Sequence, residues 1–194
     1  IFDAAGADAS AEYGDNAAVL TYRFDSLTIT VTIRGGDRIV WNLEVKNNSD
    51  HAVEYIDFPS LSVKGRLRRD GGDGAVVSMY NEGLLVEDGR LKTGMTDPEF
   101  PSQGGYMMFP YMLYLSGKNG LYMGVHDESR APKGLDFKCS DEGTDFRVRL
   151  FMGGELGGDV KTPDVVWKGF EGGWQDGAGI YREWLGRSFR TKPI

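Results

Sequence analysis

The chain has one cysteine, two histidines and seven prolines in 194 residues. A single thiol, Cys139, excludes an internal disulfide. It sits in the alternating run Leu135-Asp136-Phe137-Lys138-Cys139, where burial with Leu135 and Phe137 is the expectation. Neither histidine is near it in sequence, so no Cys–His pair for nucleophilic catalysis is legible. Metal-ligand spacing is absent as well, because His126-Asp127-Glu128 are adjacent and side chains on a strand point alternately to opposite faces. Asp70-Gly71-Gly72-Asp73-Gly74 shares only composition with a calcium loop and lacks its alternating ligands. No Gly-Lys-Ser/Thr ending follows the Gly-rich stretches at 153–158 and 169–173, which excludes a phosphate loop. No cofactor is implied.

Positive charge is also scarce. There are 22 basic against 29 acidic residues, a net charge of −7, which argues against sequence-independent binding to nucleic acid. The one local basic run, Lys64-Gly65-Arg66-Leu67-Arg68-Arg69, is followed at once by Asp70 and reads as a solvated hairpin end. No run of about 18 apolar residues is present, so no helical membrane span is expected.

Glycine, in contrast, is plentiful: 28 residues, about twice the usual share of roughly 7%. Together with a hydrophobic content of 40%, this describes short strands joined by tight turns. Leu27, Ile29, Val31 and Ile33 alternate with threonines. A Gly35-Gly36-Asp37 turn follows, and then Ile39, Trp41, Leu43 and Val45 alternate with polar residues. The pair predicts an antiparallel hairpin with its apolar side inward, and places Trp41 and Phe58 between two sheets. Roughly ten such strands predict an all-β, two-sheet antiparallel sandwich. Ala178, Tyr181, Trp184, Leu185 and Ser188 recur at helical spacing, which predicts one C-terminal helix capped by Gln175 or Asp176. Residues 1–16 read as a lead-in, 17–172 as the sandwich, and 173–194 as helix and linker.

Among segments that could carry chemistry, Gly120-Leu121-Tyr122-Met123-Gly124-Val125-His126-Asp127 stands out. Leu121, Met123 and Val125 predict a strand with one buried face that delivers His126 and Asp127 to a rim, with Lys133 across the following turn. An imidazole and a carboxylate suit recognition of hydroxyl groups. The competing reading is structural, with Asp127 capping the turn and Lys133 paired to it. His51, in an Asn-rich turn, reads as solvated. Trp167, Trp174 and Trp184 read as edge or interface residues, and the aromatic stretch 106–114 as a core strand or a sugar-stacking strip.

Several of these segments also resemble a family. Leu43-Glu44-Val45-Lys46-Asn47-Asn48-Ser49, Asp57-Phe58-Pro59-Ser60-Leu61, Gly120 to Lys133, Gly173-Trp174-Gln175-Asp176 and Ile180-Tyr181-Arg182-Glu183-Trp184 occur in the order seen in one group of proteins. That group is the uncharacterised glycoside-hydrolase-like proteins, whose N-terminal domain is a galactose-mutarotase-like β-sandwich. The resemblance implies a supersandwich fold and a catalytic barrel downstream. It further implies an accessory role in a carbohydrate-active protein, bracing that barrel and shaping the sugar cleft. His126, Asp127, Lys133 and Trp174 are the implied carbohydrate-binding or domain-interface residues, and a secreted or periplasmic setting is expected. A stand-alone carbohydrate-binding module and an aldose mutarotase or epimerase are the alternatives. The second active-site histidine of mutarotases has no counterpart here.

Overall fold

The structure is a computed structural model. It describes residues 6–64, 74–80, 83–87, 99–100, 107–139 and 143–189. The strands are β1 (Asp8–Tyr13), β2 (Ala17–Arg23), β3 (Leu27–Arg34), β4 (Ile39–Asn47), β5 (Tyr55–Lys64), β6 (Gly74–Tyr80) and β7 (Leu84–Glu87). They continue as β8 (Glu99–Phe100), β9 (Met107–Ser116), β10 (Asn119–His126), β11 (Lys133–Cys139), β12 (Gly143–Phe151), β13 (Val160–Lys161) and β14 (Asp164–Glu171). One helix, α1 (Trp174–Ser188), follows.

These strands form an all-β antiparallel sandwich. The large sheet runs β1-β2-β3-β4-β14-β10-β9-β6-β7, with β13 beside β4, and the small sheet runs β5-β12-β11-β8. The β3–β4 hairpin has the expected register, with Ile29 opposite Val45, Val31 opposite Leu43 and Ile33 opposite Trp41. Directly opposed residues share a face. This apolar face therefore turns toward the small sheet, where Trp41 meets Phe58 of β5 edge-on at 6.5 Å.

Four expectations are corrected. Residues 8–13, read as part of a loose lead-in, form an edge strand paired along its length with β2. Its side chains are exposed throughout, and its alternation of Ala9, Ala11 and Tyr13 rests largely on alanines with little apolar surface, so the strand signal in the sequence is weak. The cap of α1 is Gly173, with Asp176 in the first turn accepting a hydrogen bond from the Gly173 N–H at 2.9 Å. Trp167, read as an edge or interface residue, lies in the sandwich interior, edge-on to Phe146 of the small sheet at 5.9 Å. Finally, β10 has two buried faces, since Tyr122 and Gly124 are buried along with Met123 and Val125.

The second face of β10 is buried because α1 lies across β9, β10 and β14 on the side of the large sheet away from the small one. Tyr181 of α1 is buried in the same core as Tyr111, Leu113 and Tyr122. Close approach is permitted by Gly177, where a Cβ would come within 2.6 Å of Phe170 and 2.9 Å of Leu113. Glycine in a helix costs about 1 kcal/mol relative to alanine, so the helix depends on this docking. The basic run and the acidic Gly-rich turn over 65–73 lie outside the described residues. So does the Cys139 side chain. No described helix is long and apolar enough to cross a membrane.

Candidate functional site

The alternation of β10 sets Tyr122, Gly124 and His126 on the face that looks toward α1. Gly124 leaves room for the Tyr122 phenol to run along the strand, since a Cβ there would sit 2.2 Å from the Tyr122 hydroxyl. That hydroxyl and His126 Nε2 share a hydrogen bond of 3.0 Å. Trp184 of α1 stacks on the His126 ring at 4.7 Å and 16°. Tyr181 approaches the same imidazole at 6.3 Å. Such aromatic contacts are worth about 0.5–1.5 kcal/mol each beyond the area they bury.

Asp164 of β14 is directly opposite His126 in the ladder. Its Oδ1 accepts from Arg34 at 3.1 Å and from Asn42 at 3.0 Å. Both residues come from strands far away in sequence, and nothing in the sequence around position 164 marked it. Among the described residues, the buried polar side-chain atoms without a partner are Trp41 Nε1 and Trp167 Nε1. His126 is partly buried, and the negative charge of Asp164 favours protonation of its imidazole.

The rim residues on the other side of His126 are used internally. Asp127 Oδ1 accepts from Ser129 N at 2.9 Å and Ser129 Oγ at 2.7 Å. Its Oδ2 accepts from Ala131 N at 3.1 Å and Lys133 Nζ at 2.7 Å. The side chains of Lys133 and Asp127 are 1% and 7% exposed, so this is a buried ion pair inside the turn. Of the four residues expected at the site, the fold thus brings His126, Asp127 and Lys133 together. Trp174 is set apart: it starts α1, 10 residues before Trp184 and about 15 Å along the axis, and is 50% exposed. His51 is exposed, beside Asp50. In the aromatic stretch, Tyr111 to Tyr114 are buried, whereas Met108 and Phe109 are exposed.

Burial lowers the affinity of His126 for a proton, the nearby Arg38 charge adds to this and Asp164 opposes it, leaving a pKa of about 4. Burial raises the Tyr122 phenol, and raises Tyr181 to about 12. Burial also pushes the Asp127 carboxyl up, but hydrogen bonds from Lys133 and Ser129 outweigh it and hold the group below its usual range. At neutral pH the aromatic group is therefore uncharged and the turn is an ion pair.

The pH dependence follows from these directions. Unfolded His126 takes up a proton near its ordinary value of 6.5, the folded one only near 4. Its stabilisation is thus complete above 6.5 and is lost as the pH falls toward 4, by about 1 kcal/mol per unit within that window. Urea unfolding between pH 7 and 5 should show this slope, and His126→Phe should flatten it. An unchanged slope in that variant would assign the loss to other groups.

Among the described residues, no cluster of three or more His, Cys, Asp or Glu side chains gathers to hold a metal. No protein-family model matches the chain, and no curated protein sequence does either. Solved structures are similar in fold. The sandwich is similar to part of several glycosidase chains. One of these is the α-N-acetylgalactosaminidase NagBb from Bifidobacterium bifidum, in its complex with GalNAc. It matches with a TM-score of 0.63 at 14% identity, over 97% of this chain and 32% of the enzyme. The ligand-free form gives a TM-score of 0.64, also at 14% identity, over 96% of this chain and 32% of that one. The GH36 α-galactosidase AgaB from Geobacillus stearothermophilus matches with a TM-score of 0.53 at 12% identity, over 97% of this chain and 29% of the enzyme. The chain therefore spans about a third of the length of the enzymes it is similar to.

Proposed function

We propose that this chain is the non-catalytic accessory β-sandwich of a carbohydrate-active, glycoside-hydrolase-like protein. In this reading it braces a catalytic barrel and shapes one wall of its sugar cleft. The observation that carries the reading is the coverage: nearly all of this chain matches a part, about a third, of each of two glycosidases. Within it, His126 and the Asp164 carboxylate are the groups offered to sugar hydroxyls. Asp127 and Lys133 hold the turn that positions His126. Trp174, half exposed at the start of α1, is an interface residue toward the catalytic domain.

Two measurements test this. The isolated chain should not hydrolyse aryl α-galactosides or aryl α-N-acetylgalactosaminides. In the full-length protein, His126→Ala should lower turnover by about tenfold, the equivalent of one lost hydrogen bond, at a temperature where unfolding measurements show the variant still folded. Hydrolysis by the isolated chain that a single carboxylate substitution abolishes would refute the accessory role. Unchanged turnover in His126→Ala would remove His126 from the cleft.

A further inference from the structure

The turn that carries the chain from β10 in the large sheet to β11 in the small sheet meets the end of α1 through Arg130. Arg130 has φ +58, and it is the one non-glycine residue with positive φ among those described. A residue with a Cβ adopts this backbone only where its surroundings over-determine it. Here the determinant is Asp127, whose carboxylate accepts from the residues on both sides of Arg130: Ser129 N and Oγ before it, Ala131 N after it. Lys133 Nζ then fixes the carboxylate from within the protein at 2.7 Å.

Held in this way, the Arg130 guanidinium lies over the Phe189 ring, 5.1 Å from its centroid. Phe189 is the residue at which α1 ends, and its N–H donates to Leu185 O at 2.9 Å. Phe189 packs edge-on against Trp184 at 5.9 Å, and Trp184 stacks on His126, the neighbour of Asp127. The contacts close a ring from the turn to the helix end and back. The helix ends on Phe189, whose backbone is extended.

We infer that the β10–β11 turn is an orienting clamp for the C-terminal end of α1, with Arg130 as the contacting residue and the buried Asp127–Lys133 pair as its rigid base. The pair therefore does conformational work rather than ligand recognition: it fixes where the helix ends relative to both sheets. This goes beyond the accessory-domain reading and does not depend on it.

Arg130→Gly separates a clamp from a simple turn residue. Glycine accepts positive φ, so the turn itself is relaxed by the substitution, whereas the cation–π contact to Phe189 is lost. In the 194-residue chain, amide hydrogen exchange at Phe189 should then speed up by about twofold to fivefold, the value of an exposed cation–π contact, with β3 and β4 unchanged. Arg130→Lys should fall between the two. In a Phe189→Leu background, Arg130→Gly should add nothing further. Unchanged exchange at Phe189 in Arg130→Gly, or an equal increase in β3 and β4, would overturn the clamp, as would an undiminished effect in the Phe189→Leu background.

Discussion

Replacing Lys133 by methionine should destabilise the protein by about 3–5 kcal/mol, the usual cost of breaking a buried ion pair by removing one partner. The Asp127 carboxylate is 7% exposed and would keep only the neutral donors of Ser129 and Ala131. Methionine preserves the length and apolar stem of the lysine, so lost charge rather than lost volume dominates the loss. The double change Asp127→Asn with Lys133→Met should recover much of it. An asparagine oxygen still accepts from the turn, and replacing a buried pair by neutral groups is often close to neutral in stability. Equilibrium urea unfolding at pH 7 of the two single variants and the double variant measures this. A change below about 1 kcal/mol in Lys133→Met would show that the pair behaves as a solvated surface bridge.

Trp41→Ala should cost a similar amount, about 3–5 kcal/mol, as expected for truncating a large aromatic in a core. The indole joins the two sheets through Phe58 at 6.5 Å and lies beside Trp167 at 6.2 Å. Its Nε1 is buried without a hydrogen-bond partner, as is that of Trp167. An unpaired buried donor itself costs about 1–3 kcal/mol, so Trp41→Phe should lose much less than Trp41→Ala. Thermal and urea unfolding of both variants checks the order. Equal losses in the two would mean that the indole nitrogen has a partner after all. A loss below about 1 kcal/mol in the alanine variant would mean that this face of β4 does not support the sandwich.

The sandwich class, the β3–β4 hairpin with its inward face and the C-terminal helix were legible from period-two and period-3.6 patterns, because each is a local consequence of which side chains must leave water. The proximity of His126, Asp127 and Lys133 was also legible, since one turn spans them. The edge strand β1 was not, because main-chain hydrogen bonds to β2 hold it and its side chains are exposed.

What tertiary structure alone decided is the environment of that turn. The docking of α1 buries the second face of β10, which is why His126 lies beneath Trp184 and stays neutral instead of standing on an open rim. Pairing between β10 and β14 sets Asp164 opposite His126 across 38 residues of sequence. The backbone of Arg130, which turns its guanidinium onto the end of the helix, follows from a carboxylate three residues earlier and an aromatic ring 59 residues later. Patterning in a sequence records which residues avoid water, but a site depends on which of them meet. Those meetings come from long-range strand pairing and helix docking, whose register no local periodicity encodes.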